Sequence, residues 1–226
     1  MSAAAPAHRA DPYALGHRGA HGHGHHGHGE ATGHGEGGPA SKRIITAYGF
    51  WIFLLSDIIM FSGFFAAYAV LSGETAGGPS GHDLFDLRRV AIETGLLLAS
   101  SFTAGLGSVA TARKNMAHTQ FWLLVTGLLG AAFLFIELQE FAEMVANGAG
   151  PTRSAFLSSF FALVGCHGLH VGIGLLWLGT MMAQLWIKGF RETILRRLFC
   201  FNLFWHALDI IWVAVFTVVY LLGAGQ

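Results

Sequence analysis

Residues 44–71, IITAYGFWIFLLSDIIMFSGFFAAYAVL, contain one charged side chain, Asp57, in 28 positions that are otherwise apolar, small or weakly polar. About 20 such residues suffice to cross a hydrocarbon core roughly 30 Å thick. In lipid no water reaches unpaired backbone groups, so a full-length span must be a helix or part of a closed barrel. Alternation with period two is absent, and the stretch reads as a transmembrane helix. Four more apolar runs follow, at about 91–112, 121–145, 155–186 and 199–223. Polar or Gly/Pro-rich breaks separate them: 73–86, 113–119, 147–154 and 188–197. The expected fold class is therefore all-α: a polytopic membrane protein with five transmembrane helices in a bundle.

Composition agrees. Of 226 residues, 53% are hydrophobic and 12% charged, against roughly 25% charged in ordinary soluble domains. Formal net charge is zero, so no bulk basic field draws nucleic acid. No glycine-rich phosphate loop follows a strand, which removes nucleotide chemistry. The two cysteines, Cys166 and Cys200, fall in different apolar runs at different depths and read as buried free thiols.

Residues 1–41 are of another kind. Eight of the thirteen histidines lie here, at His8, His17, His21, His23, His25, His26, His28 and His34, interleaved with glycine. Such a segment has little apolar surface to bury and is expected to be a disordered His/Gly-rich tail. It lacks the apolar core of a cleavable signal, so the first helix is expected to insert and stay. The run from His21 to His28 could hold Cu(II), Ni(II) or Zn(II) through neutral imidazoles, or be a solvated tail with incidental metal affinity. Residues 42–226 form the membrane domain.

Basic residues set the orientation. Lys42, Arg43, Arg113, Lys114, Lys188, Arg191, Arg196 and Arg197 fall on one side. Only Arg88, Arg89 and Arg153 fall on the other. The expected topology has a cytoplasmic N-terminus and a C-terminus on the opposite side, which is the periplasmic side in the bacterial inner membrane implied by the resemblance described below. Close helix approach is expected at Gly168 and Gly172, with Gly165 and Gly179 near them, and at Ser100, Ser101, Ala104 and Gly105.

Ionisable groups inside a membrane cost about 3 kcal/mol or more each and tend to face protein or water. Here they recur at a spacing of three, which puts each pair on one helix face: Glu137 and Glu140, His167 and His170, His206 and Asp209. Asp57 sits near the middle of the first helix, and Glu93 lies nearer the end of the second. Three readings fit: interhelical hydrogen-bond clamps, a proton or lipid site shared with a partner subunit, or a metal site. Di-metal bundles join Glu and His in one motif on each of two helices, and here the residue types fall on separate helices. A subunit carrying two haems and a copper needs about six ligands, many of them histidine. Only three histidines lie in the membrane. No catalytic, cofactor-binding or metal-ligating residue is assigned to this chain.

Several runs carry a family likeness. Residues 49–73 (GFWIFLLSDIIMFSGFFAAYAVLSG), 90–105 (VAIETGLLLASSFTAG), 136–141 (IELQEF), 166–174 (CHGLHVGIG) and 204–223 (FWHALDIIWVAVFTVVYLLG) resemble successive helices of the haem-copper oxidase subunit III family. Order and spacing agree over about 44–223. The five-helix count, the loop SGETAGGPSGHDLFDL and the segment GPTRSAFLSSFFALVG are similar to the ubiquinol-oxidase (cytochrome o) branch. Mitochondrial-type members have seven helices, and Glu where Asp57 stands.

The resemblance implies a subunit of a complex that oxidises ubiquinol, reduces oxygen to water and pumps protons. Subunit I would hold the haems and copper, and this chain none. Its partners would be subunit I, then subunits II and IV, with bound phospholipid. The implied role is to stabilise subunit I and support proton uptake. Asp57, Glu93, Glu137, Glu140, His167, His170, His206 and Asp209 are the candidate residues for that structural, proton- or lipid-related role. Two other functions stay open at this point: subunit III of a cytochrome c oxidase, and a small His-rich metal transporter.

Overall fold

The computed structural model describes residues 42–77 and 86–223. Five long helices dominate: α1 Lys42–Leu71, α2 Leu87–Ala112, α3 Met116–Ala146, α4 Ala155–Lys188 and α5 Glu192–Val215. The last runs on into a π-helical turn, Phe216–Leu221. All five are long and apolar enough to cross a membrane, and no strand occurs among the described residues. The chain is an all-α polytopic membrane bundle. The tail 1–41, with its histidines and the metal affinity considered for them, lies outside the described residues.

Helices α3 and α5 begin earlier than their apolar runs. At α3 the cause is a cap. The Asn115 side chain accepts from the His118 backbone N–H at 3.2 Å, which satisfies one of the donors every helix start leaves open. The preceding turn is only three residues long and passes through Lys114 at φ 54°. At α5 the first turns are charged (Glu192, Arg196, Arg197), so hydropathy misses them although the backbone is helical. Asp86 caps α2 by accepting from Arg88 N at 3.0 Å, and Ser154 caps α4 by accepting from Leu157 N at 3.2 Å.

Helices α2 to α5 close a ring in which α2 packs on α3, α3 on α4, α4 on α5, and α5 back on α2. Helix α1 lies outside that ring against α4 and α5. Its buried large side chains are Leu54, Phe61 and Tyr68, one every seventh residue, which keeps them on a single stripe. The Tyr68 hydroxyl donates to the Val219 carbonyl at 3.3 Å, inside the π-helical turn. The other faces of α1 expose Ile44, Ile45, Ile52, Ile59 and Val70.

Two tryptophans of α5 sit where the ring closes. Trp205 fits between two glycines of facing helices. A Cβ at Gly130 of α3 would lie 2.8 Å from its Cζ2, and one at Gly174 of α4 would lie 2.9 Å from its Cζ3. Its indole N–H donates to Ser100 Oγ of α2 at 3.0 Å, and Ser100 donates to the Thr126 carbonyl of α3 at 3.1 Å. Two turns on, the Trp212 N–H donates to Thr94 Oγ1 of α2 at 3.0 Å. The Trp212 ring meets Phe133 edge-on at 4.7 Å.

Gly130→Ala forces the Trp205 ring to move in a filled core and should destabilise the folded protein by about 1–3 kcal/mol. Gly95 of α2 has open space around it, so Gly95→Ala should leave stability unchanged or raise it by under about 1 kcal/mol through helix propensity. Thermal unfolding in matched detergent compares the two variants.

Candidate functional site

The polar residues of the membrane domain fall into three groups. The first is interior, at the end of the bundle where α2 and α4 begin and α3 ends. Glu93 of α2, Glu137 and Glu140 of α3, and His167 of α4 are each at most 4% exposed. Glu137 feels the charges of Glu93 and Glu140, and Tyr220 faces all three acids. The Glu137 carboxyl lies directly on α4: a Cβ at Gly168 would be 2.7 Å from its Oε1 and 2.9 Å from its Oε2. Neighbouring Gly172 faces Leu134, 3.7 Å from where a Cβ would stand. The small-residue pair of α4 thus lets α3 approach.

Helix α3 brings Glu137 and Glu140 inward because they share the stripe of Thr119, Leu123, Thr126, Gly130 and Phe133. His167 sits on the ring side of α4. Its Nε2–H donates to the Leu208 carbonyl at 3.3 Å. Its ring is 5.8 Å from Phe133, edge-on, and 5.0 Å from Trp212. Above the acids, toward the helix ends, the Arg89 guanidinium donates to Glu143 at 2.7 Å and 3.5 Å, with both side chains partly in the open.

The second group faces outward near mid-span. His206 and Asp209 of α5 and Ser101 of α2 line a shallow groove with Leu98, Phe102 and Val109. Ser101 Oγ and His206 Nδ1 are hydrogen-bonded at 2.6 Å, and the same hydroxyl faces Asp209. Phe102 is 69% exposed beside them, so this groove is a polar notch in an apolar outer face.

The third group is on the α1–α4 seam. Asp57 is half-buried, within electrostatic reach of Cys166. His170 Nδ1–H donates to the Cys166 carbonyl at 2.7 Å, and its ring packs against Phe61 at 5.3 Å. His167 and His170, three residues apart, both meet rings of α5, and beyond it His167 packs on Phe133 of α3 and His170 on Phe61 of α1. Cys166 and Cys200 are both free thiols.

Inside the bundle, interhelical hydrogen bonds come from His167 and from the indole and hydroxyl groups, and none from the buried Glu93 and Glu137. Each of the three membrane histidines has one ring nitrogen bonded within the protein, and the three point to separate surroundings. Among the described residues no group of three or more His, Cys, Asp or Glu is placed to hold a metal ion.

Sequence reading alone missed the tryptophan–hydroxyl ladder, Trp205 to Ser100 and Trp212 to Thr94. The signal was available as aromatic residues at i and i+7 on α5 opposite small polar residues of α2. It also missed a cavity of about 640 Å³ at the other end of the bundle, where α1 and α5 begin and α2 ends. Its lining is apolar at Leu123, Leu195 and Leu198, polar at Ser108, Thr111 and Asn202, and charged at Lys114, Glu192 and Arg196.

Comparison with known proteins bears on this geometry. The family model for cytochrome c oxidase subunit III matches residues 27–224. The third subunit of the cytochrome bo(3) ubiquinol oxidase of Pseudomonas aeruginosa is 53% identical over 179 residues, which is 79% of this chain and 86% of that protein. Quinol oxidase subunit 3 of Bacillus subtilis is 43% identical, over 78% of this chain and 87% of that protein. Cytochrome c oxidase subunit 3 of Bacillus sp. strain PS3 is 42% identical, over 77% of this chain and 84% of that protein. The chain belongs to the cytochrome c oxidase subunit III family.

Gly168→Ala should cost about 1–3 kcal/mol, because its Cβ runs into the Glu137 carboxyl. In a Glu137→Ala background most of that cost should vanish, a coupling that a double-mutant cycle of unfolding free energies reads directly.

Proposed function

We propose that this subunit of a haem-copper oxidase complex serves a bacterial ubiquinol oxidase as an accessory chain without a catalytic centre of its own. The observation that carries the reading is the 53% identity to a bo(3) ubiquinol oxidase third subunit over 86% of its length. Identity to the two Bacillus oxidase subunits, 43% for the one named for quinol and 42% for the one named for cytochrome c, is lower and does not separate them. In this reading the complex sits in the inner membrane, oxidises ubiquinol, reduces oxygen to water and moves protons outward. Subunit I holds the haems and copper, and subunits II and IV complete the assembly. The basic ends Arg113, Lys114, Lys188, Arg191, Arg196 and Arg197 face the cytoplasm, the N-terminus lies inside and the C-terminus outside.

The groove of His206, Asp209 and Ser101 supports a docking role. A half-buried carboxylate at mid-span is costly against lipid, and much less so against a partner helix that offers a donor. Subunit I is the partner that this reading seats there. The 640 Å³ cavity supports a lipid role. Its lining combines apolar side chains, which suit an acyl chain, with two basic groups, Lys114 and Arg196, against one acid, Glu192, and neither basic group is ion-paired among the described residues. An anionic phospholipid of the cytoplasmic leaflet matches both features. Asp57 on the α1–α4 seam is the group this reading ties to proton uptake by the neighbouring subunit.

Purification through a tag on this chain in mild detergent should bring down a large haem-containing subunit, and the preparation should oxidise ubiquinol rather than cytochrome c. Oxidation of cytochrome c instead would move the chain to the other branch. The paired change His206→Leu, Asp209→Leu should lower the yield of assembled complex or speed its inactivation during turnover. Unchanged yield and unchanged turnover stability would count against docking at that groove.

A further inference from the structure

The interior acids have an unusual count of open hydrogen-bonding positions. Both carboxyl oxygens of Glu93, both of Glu137, Oε2 of Glu140 and Nδ1 of His167 are shielded from solvent and make no hydrogen bond to any other residue. Buried polar atoms are nearly always partnered, so six orphans in one place call for an explanation. They are one cluster and not a scatter. Glu93 and Glu140 lie within electrostatic reach of each other, and Glu137 of both. Glu137 rests on the backbone at Gly168, beside His167.

The cluster also has a direction. At 1.5 Å per residue along the helices, Glu93 and Glu140 sit roughly 9 Å inside the ends of α2 and α3. Glu137 lies roughly 14 Å in, and His167 roughly 18 Å inside the start of α4. The Arg89–Glu143 pair stands one turn above Glu93 and Glu140, partly open to the outside. The groups form a column from an ion pair at the bundle end to an imidazole near mid-span.

Chemistry limits what such a column can be. Three ionised carboxylates this close, in an apolar surround, repel one another and are badly solvated. No metal-binding arrangement is present among the described residues to balance them. As neutral acids they each offer one O–H donor. His167 has its Nε2–H committed to Leu208 O, so its Nδ1 is a bare acceptor waiting for a donor. The side chains make no hydrogen bond to one another, and the Glu137 carboxyl fills the space that a side chain at Gly168 would take. Water bridging acid to acid, and acid to imidazole, would meet every open position.

We propose that Glu93, Glu137, Glu140 and His167 form a hydrated cluster of protonated acids that stores protons and exchanges them with the aqueous phase past the Arg89–Glu143 pair. Its ligands are water and protons. Each uptake adds one proton to a carboxylate or to His167 Nδ1, and each release returns one to water at the same mouth. This goes beyond the docking and lipid roles above, and it does not depend on which electron donor the complex uses.

Infrared spectroscopy of the intact purified complex tests it through the carbonyl stretch of protonated carboxylic acids. In the unaltered complex part of that band should move to lower frequency on transfer to D2O. Glu93→Gln, Glu137→Gln and Glu140→Gln should each remove a portion of the moving component. Should a Gln variant fail to assemble, the Asp variant at the same position keeps the acid and should displace the component instead. Glu143→Gln should leave its intensity intact and change the speed of its isotope shift. An acid band identical in all the Gln and Asp variants that assemble overturns the proposal. So does a component that these variants remove but that never responds to D2O, which marks a dry structural packing of acids. An isotope shift of unaltered speed in Glu143→Gln overturns the route past the ion pair.

Discussion

The bundle depends on a constraint that lipid imposes: an indole N–H at membrane depth finds no water and must be satisfied by the protein. Helix α5 carries two such donors on one face, and both end on hydroxyls of α2. To reach Ser100, Trp205 has to pass between α3 and α4, and it can do so only because Gly130 and Gly174 present bare backbone on either side. One side chain thereby fixes the spacing of four helices. Trp212 repeats the arrangement two turns away and adds Phe133 and His167 as ring neighbours. Apolar burial alone gives membrane helices little reason to choose one partner over lipid, whereas small-residue contacts and hydrogen bonds do.

That device explains which polar residues the fold can carry without using them as ties. Serine, threonine and tryptophan hold α2, α3 and α5 together through neutral hydrogen bonds. The interior carboxylates Glu93 and Glu137 are then spared that task, and neither makes a hydrogen bond to another residue. In the outer groove the opposite holds: His206 is bonded to Ser101 across α5 and α2, while part of the polar notch remains open to whatever covers it. The two sets differ in what surrounds them more than in residue type. Interior acids are buried, Glu137 against the backbone of α4 at Gly168, and outward groups are flanked by exposed Phe102 and Leu98.

Much of this was legible in the sequence, for definite reasons. Five spans could be read because a helix long enough to cross lipid needs an apolar run long enough to see. Their ends were less legible: α3 and α5 extend past the apolar runs because Asn115 and the charged turn at Glu192 carry the helix into polar surroundings. The i, i+3 spacing located Glu137 with Glu140 and His206 with Asp209 on common faces. His167 and His170 both meet rings of α5, and the angle that three residues subtend on a helix lets the first also reach α3 and the second α1. Composition could not disclose the Trp205 slot, because it exists only when Gly130, Gly174 and Ser100 meet from three different helices.

Helix α1 shows how far such reasoning extends. It is the segment that decides the fold from sequence, yet it is peripheral to the ring. Leu54, Phe61 and Tyr68 are its attachment stripe, and one hydrogen bond joins it to the π-helical turn. A helix held by a single stripe leaves most of its circumference facing outward, and Asp57 sits at the margin of that stripe rather than in the interior. The hydropathy that makes a span recognisable is a property of its solvent. What makes it central is the number of its side chains that other helices were shaped to receive, and by that measure α5, interrupted by histidine, aspartate and two tryptophans, organises the molecule.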